Sequence, residues 1–377
     1  MKPSRSGRLA GVALVGALAL TACGSDNNTP GSTTSPSAGA SSSPSSSAPT
    51  VSGTLTGEGS SAQKNAIAEA TTSFQEANPQ ATVNYSPTGS GAGIKQFNAG
   101  QVDWAGSDSA LKTEPKDGVV EADAAAKRCG APAWNLPMIA GPIAIAYNLE
   151  GVDKLVLTPS VAAKIFLGKI TTWNDPAIAK LNAGAKLPAT KISVFYRSDE
   201  SGTTENFAKY LAGSAPTDWT EKPSKVWPGK AGQGAAKSSG VAQGVKDTVG
   251  GITYVEWSNA KDLKLGVAQI DNGGGAVELT GESAGKAVAA AKNDGEGNDL
   301  RLKLDYATKE AGVYPIVLVT YEIACSKGLD AGKTTVLKAF LKHVASADVQ
   351  KALEGIGYAP LPAETLTKVN AAIDAIS

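Results

Sequence analysis

The sequence predicts an α/β protein built as two domains, and three observations carry that reading. Residues 51–148 alternate strand-like and helix-like segments across loops rich in Gly and Ser, the pattern of a layered α/β domain. Two long apolar runs, residues 136–148 and 314–324, bracket a middle block with strands and helices of its own. The part able to fold, residues 51–377, is also too long for one typical core.

The N-terminus reads as export machinery. Lys2, Arg5 and Arg8 precede an uncharged apolar run, residues 9–20, that falls short of the roughly 20 residues a bilayer span requires. Its length fits the hydrophobic region of a secretory signal, residues 1–22. Leu20-Thr21-Ala22-Cys23 resembles the lipobox of bacterial lipoproteins, in which the cysteine is acylated, so Cys23 is expected to anchor the chain. From Cys23 to residue 50 the chain is nearly all Ser, Thr, Pro, Gly, Ala and Asn. A segment with so little to bury is expected to form a disordered tether.

Each folded element has a local reason. Residues 51–56 read as a strand running into Gly57-Glu58-Gly59-Ser60-Ser61, and residues 62–76 as a helix stopped by Asn78-Pro79. Residues 81–85 form a second strand, Gly89-Ser90-Gly91-Ala92-Gly93 a second small-residue loop, and residues 94–98 a helix. Residues 102–105 form a short third strand ending at Gly106-Ser107-Asp108. The middle block holds a helix near residues 160–167, a strand at 192–196, a helix from about Ser201 and a strand at 252–257. Residues 333–345 and 347–353 read as helices. If the last segment returns to the first domain, the two apolar runs become the connecting strands.

Composition excludes several functions. Residues 1–22 carry three of the 35 basic residues and none of the 35 acidic ones; without them the balance is 32 against 35, a net charge of −3. Nucleic acid is therefore not an expected partner, and any bound anion must be held by local donors. His343 is the single histidine, which rules out a His-based triad or a multi-His metal site. Cys129 and Cys325 remain besides Cys23; outside the cytoplasm such a pair is expected to bond, with two free buried thiols as the alternative.

Small hydroxyl-bearing residues recur where a strand gives way to a helix, at Ser60-Ser61-Ala62, Gly89-Ser90-Gly91 and Ser201-Gly202-Thr203. Helix N-termini present unpaired N–H groups and a positive dipole end, and small residues let an anion approach them. Arg197 adds a planar fork suited to a tetrahedral oxyanion, with Asp199 placed to hold it. Asp108 would repel an anion unless the ligand brings a proton, which phosphate can do near neutral pH and sulfate cannot. Two nucleotide motifs fail on inspection. Gly57-x-Gly59-x-x-Ala62 lacks the acidic residue after the next strand, and Gly332-Lys333-Thr334 has Lys327 where a Walker loop needs glycine.

Six stretches in order along the chain resemble the phosphate-binding proteins of bacterial ABC importers, the PstS family: TGEGSSA (56–62), SGAGIKQ (90–96), DWAGSD (103–108), LGKITTWNDPAIAKLN (167–182), RSDESGT (197–203) and GITYVE (251–256). The resemblance implies a two-lobed periplasmic-binding-protein fold, with residues 51–142 plus 318–377 as one lobe and 143–317 as the other. It implies that phosphate is held by Ser61, the Ala62 N–H, Ser90, Asp108, Arg197, Ser201, the Gly202 N–H and Thr203, with Asp199 orienting the arginine. It further implies a lipid-anchored, extracytoplasmic monomer that delivers phosphate to permease subunits driven by a cytoplasmic ATPase, and that uses no cofactor or metal. This chain departs from the family in having Ser61-Ala62 where a threonine and a bulky residue are common. Arsenate, sulfate or molybdate as ligand, or a secreted phosphatase activity, are the competing expectations.

Overall fold

The computed structural model describes residues 51–116 and 118–377; the signal region, Cys23 and the linker lie outside the described residues. The chain opens with β1 (Gly53–Gly59), α1 (Lys64–Ala77), β2 (Ala81–Ser86), α2 (Ser90–Asn98), β3 (Trp104–Ser107), α3 (Glu121–Cys129) and the long β4 (Ala133–Tyr147). The middle block contributes β5 (Val156–Leu157), α4 (Pro159–Phe166), α5 (Pro176–Leu181), β6 (Ser193–Arg197), α6 (Gly202–Ser214), β7 (Gln233–Ala235), α7 (Lys237–Lys246) and β8 (Gly251–Glu256). A return strand, Val317–Cys325, leads to three C-terminal helices, Ala331–Val344, Ala347–Gly355 and Ala363–Ala375.

Sequence accounts for most of the boundaries. The α1 helix buries Ala66, Ile67, Ala70 and Phe74 along one face and ends before Pro79, whose ring disfavours helical backbone in the preceding residue. In α3, Glu121 and Asp123 occupy the first turn, Lys127 and Arg128 the last, and Gly130 closes it at φ 62°, where glycine is unstrained. Expectation and structure differ at α2. The Gly89-Ser90-Gly91 segment, expected as a loop, already forms the first helical turn, with Gly89 (φ 113°) as its cap.

The principal sheet runs β2, β1, β3, return strand, β4, β8, β6, β7. Its β1, β2 and β3 strands are parallel, as are β6, β7 and β8, while the return strand and β4 run antiparallel to their neighbours. The β4 strand changes partner along its length. Residues from Ala133 to Pro142 pair with the return strand, and Ile143 to Tyr147 pair with β8. One apolar cluster packs α1 and the C-terminal helices on the first part of the sheet through Phe74, Trp104 and Phe340. Another lies beneath β6 and β8, where Phe207 and Tyr254 stack at 4.6 Å and Trp227 lies 5.1 Å from Tyr254.

Cys129 and Cys325, 196 positions apart in sequence, are bonded, with Cα atoms 5.4 Å apart. The bond ties the end of α3 to the end of the return strand, which pairs there with Ala133 at the start of β4. Replacing both cysteines by serine is expected to destabilise the protein by about 2–5 kcal/mol, read as a lowered midpoint in urea unfolding.

Candidate functional site

Strands β1 and β3 of one parallel ladder and β6 of the other bring their C-terminal ends together, and the loops leaving them carry most of the candidate residues. Ser61 and Ala62 follow β1, Ser90 opens α2, Asp108 follows β3, and Arg197 ends β6 four residues before Ser201, the cap of α6. Ser61, Ala62, Ser90, Asp108, Arg197, Ser201 and Thr203 are each buried, at 4% exposure or less. The structure thus gathers all of them, with Gly202, into one water-poor locus.

Arg197 is its cationic centre. Nε donates to Asp199 Oδ1 at 2.7 Å and Nη2 to Asp199 Oδ2 at 2.5 Å, a parallel two-bond fork. Nη1 donates to Thr203 Oγ1 at 3.3 Å and to Ser238 Oγ at 3.1 Å. These last two acceptors are neutral hydroxyls, which an incoming anion can displace with a gain. Burial opposes the charge on both Asp199 and Arg197, but the pairing prevails. It holds Asp199 below the ordinary carboxylate range and keeps the guanidinium charged.

Asp108 is surrounded by hydroxyls. Oδ1 accepts from Ser60 at 2.6 Å and Thr320 at 2.8 Å, and Oδ2 accepts from Ser90 at 3.1 Å. A carboxylate oxygen accepts about two hydrogen bonds, so Oδ1 is full and Oδ2 keeps one acceptor position. Burial pushes Asp108 from 3.8 up to about 6; the Ser60 bond opposes that rise and the charge of Glu256 adds to it. Gly202 packs directly on this group, for a Cβ there would lie 2.6 Å from both Asp108 Oδ2 and Ser90 Oγ. The absence of a side chain at Gly202 therefore lets the N-terminus of α6 reach the carboxylate.

That N-terminus is a donor array. Ser201 caps α6 by accepting from Thr204 N at 3.2 Å, and its hydroxyl proton remains available. Gly202 and Thr203 occupy the first two helical positions, whose N–H groups have no intrahelical acceptor. Ser61 and Ala62 are engaged differently: the Ala62 N–H donates to Ser60 Oγ at 3.0 Å, and Ser61 Oγ lies 2.9 Å from Ser238 Oγ and accepts from Ser238 N at 3.1 Å.

Sequence reasoning missed Ser60, Ser238, Glu256 and Thr320. Ser238 had a legible signal. It follows β7 in Ala236-Lys237-Ser238-Ser239-Gly240, the same strand-to-helix arrangement of small hydroxyl residues found in the other three loops. Lys237 beside it takes φ 66°, an unfavourable value for a side-chain-bearing residue, with its N–H on Asp199 Oδ1 at 2.9 Å. Contacts between the α2 and β3 segments and the β6–α6 segment seal the locus: Gly91 N donates to the Glu200 carbonyl at 3.0 Å, Asn206 to the Asp108 carbonyl at 2.7 Å, and Lys95 pairs with Glu200 at 2.6 Å.

A family model described as a PBP superfamily domain matches residues 44–348. The phosphate-binding protein PstS3 of Mycobacterium bovis (strain BCG / Pasteur 1173P2) is 44% identical over 383 residues, covering all of both chains. The phosphate-binding protein PstS of Xylella fastidiosa is 33% identical over 297 residues, 77% of this chain and 76% of that one. Among solved structures, the phosphate binding protein of Stenotrophomonas maltophilia aligns with a TM-score of 0.67 at 21% identity, covering 85% of this chain and 94% of the other. At that identity the likeness speaks to the fold, which is that of the periplasmic binding proteins.

Because burial lets Asp108 hold its proton up to about 6, against 3.8 for an ordinary aspartate, its ionisation works against folding. Its contribution is fully favourable below about pH 4 and is lost as pH rises through 6, a difference of about 3 kcal/mol. Asp108→Asn is expected to remove that dependence: ligand-free variant and wild type diverge in urea stability between pH 4 and 7, the variant becoming relatively more stable.

Proposed function

Since this chain belongs to the PstS family of phosphate-binding proteins, we propose that it captures inorganic phosphate outside the cytoplasm and delivers it to the permease of an ABC importer. The observation that carries this reading is the open acceptor position on Asp108 Oδ2, set against the N-terminus of α6 at Gly202, with Arg197 reaching the next residue of that helix, Thr203. A tetrahedral oxyanion there meets donors on most sides and one acceptor that only a ligand O–H can satisfy. Sulfate and molybdate bring no such proton near neutral pH, while arsenate does.

The proposed ligand set is Ser61, the Ala62 N–H, Ser90, Asp108, Arg197, Ser201, the Gly202 N–H and Thr203, with Asp199 holding the guanidinium. Ala62 and Ser61 join it by exchanging their present partners, Ser60 and Ser238, for the anion. Each hydrogen bond to a charged group contributes roughly 1.5–3 kcal/mol. Several together offset anion desolvation and leave the roughly −8 kcal/mol of a micromolar site. In this reading residues 51–142 with 318–377 form one lobe and 143–317 the other, and the ligand favours the arrangement in which their loops meet. Acylated Cys23 and the tether after it keep the protein at the membrane as a monomer.

The reading is of a carrier, not an enzyme. His343, the single histidine, sits on the Ala331–Val344 helix and faces α1, with Nε2 2.8 Å from Ser73 Oγ. Titration calorimetry with phosphate and then sulfate at neutral pH tests the proposal. One-to-one phosphate binding at micromolar or tighter affinity with sulfate silent is expected; silence toward both anions refutes it. Arg197→Ala is expected to weaken phosphate binding by at least about 100-fold, and an unchanged affinity removes Arg197 from the ligand set.

A further inference from the structure

Glu205 lies in the first turn of α6, outside the ligand set above, and is only 3% exposed. Its Oε2 accepts from Ser109 Oγ at 2.8 Å, and Ser109 is the neighbour of Asp108 in the loop after β3. Its Oε1 takes two ammonium groups: Lys112 from that same loop and, at 3.0 Å, Lys209 from the next turn of α6. Burial opposes the charge on Glu205, but Lys209 and Lys112, with Lys225 beyond them, outweigh it and hold the carboxyl well below the ordinary range.

The contacts continue as a ring. Lys112 N donates to Glu121 Oε2 at 3.0 Å, at the start of α3, and Glu121 Oε1 accepts from Lys225 Nζ at 3.1 Å. Lys225 is buried, and its carbonyl accepts at 2.8 Å from the N–H of Ser201, the cap of α6. Glu205 N donates to the Ser201 carbonyl at 3.2 Å, which brings the ring back to its start. Two of these links, Lys112 to Glu205 and Lys225 to Glu121, join the segment that follows Asp108 to the segment that carries Ser201, Gly202 and Thr203. Lys112 also lines two cavities, one of about 440 Å³ bounded by Asp108 and Asn206 and one of about 350 Å³ bounded by Gly91 and Glu200. Its pair with Glu205 stands between them.

We propose that Glu205 and Lys112 are positioning residues that clasp the Asp108 loop onto α6 and set the rate at which bound phosphate leaves. The anion is held from both segments, so they must separate to release it, and separation pulls Lys112 from Glu205 and Lys225 from Glu121. Before capture the segments are apart and these pairs are unmade. The clasp therefore slows departure and leaves association nearly unchanged. Lys209 stands outside it, because it shares a helix with Glu205 and travels with it. The inference rests on the phosphate reading and adds to it what governs release.

Release is read by loading the protein with radiolabelled inorganic phosphate, adding excess unlabelled phosphate and following loss of label by rapid filtration; association is measured alongside. Lys112→Met removes the link between segments while Glu205 keeps Lys209. It is expected to speed release about 10-fold and to change association by less than about 3-fold. Lys225→Met cuts the second link and is expected to speed release as well. Lys209→Met is the control: it takes a cation from the same carboxylate oxygen without touching the clasp, and its release is expected within about 2-fold of wild type. Circular dichroism melts establish folding, and if Lys112→Met does not fold, Lys225→Met is judged against the same control. Unchanged release in the folded variant, or equally fast release from Lys209→Met, overturns the clasp while leaving the phosphate reading intact. Failure of wild type to bind phosphate at all removes the premise instead.

Discussion

A guanidinium with almost no access to water needs its N–H groups answered, and Arg197 answers four of its five with the Asp199 fork and two hydroxyls. Much of the locus follows from this one constraint. Asp199 must stand close, so the β6–α6 connection is short and acidic. Thr203 and Ser238 must lie within reach of Nη1, which fixes the first turns of α6 and α7 against each other. Even the unfavourable backbone at Lys237 fits, since its N–H completes the hydrogen bonding of Asp199. A buried ion pair on its own is weak evidence of stability; here its geometry leaves cationic donors facing partners that an oxyanion can replace.

The two carboxyl groups beside it, Asp108 and Glu256, explain how a site with negative charge of its own can hold an anion. Each takes protons from hydroxyls, and those hydroxyls are thereby oriented. Ser60, Thr320 and Ser90 point their protons at Asp108, while Thr203 points its proton at Glu256. The carboxyls thus act as fixed references for hydroxyl rotors. Glu322, behind Asp108 on the return strand, is pushed well above the ordinary carboxylate range by burial and, among the described residues, accepts its side-chain hydrogen bond from Gln63.

The legible part of this fold was what short-range chemistry dictates. Strand-to-helix loops of small residues, the Pro79 stop of α1 and the Arg197-to-Thr203 stretch each announce themselves locally. The carboxylate partners did not, because Ser60, Thr320 and Glu256 matter through contacts between segments up to 212 residues apart. Thr320 and Glu256 also lie within or at the end of buried strands, where one polar residue in an apolar run gives no hint of its partner. The α2 boundary was misplaced because glycine spacing marks permissive backbone and does not say whether that backbone coils. The α7 helix was overlooked because its Ala, Gly, Ser and Lys composition is weakly amphipathic, although its first turn repeats a pattern recognised elsewhere.

The β4 strand carries a mechanical consequence. One end lies beside the return strand at the Cys129–Cys325 bond, and the other is laddered to β8. Between them, at Gly141-Pro142, the partner changes, Pro142 has no N–H to give the ladder, and a Cβ on Gly141 would press 2.8 Å from Leu318. A beam clamped at one end and gripped at the other bends where it is thinnest. On the proposed division into two lobes, flexure would be confined to these few residues, and each set of loops would travel as a rigid jaw with its hydroxyl rotors still set.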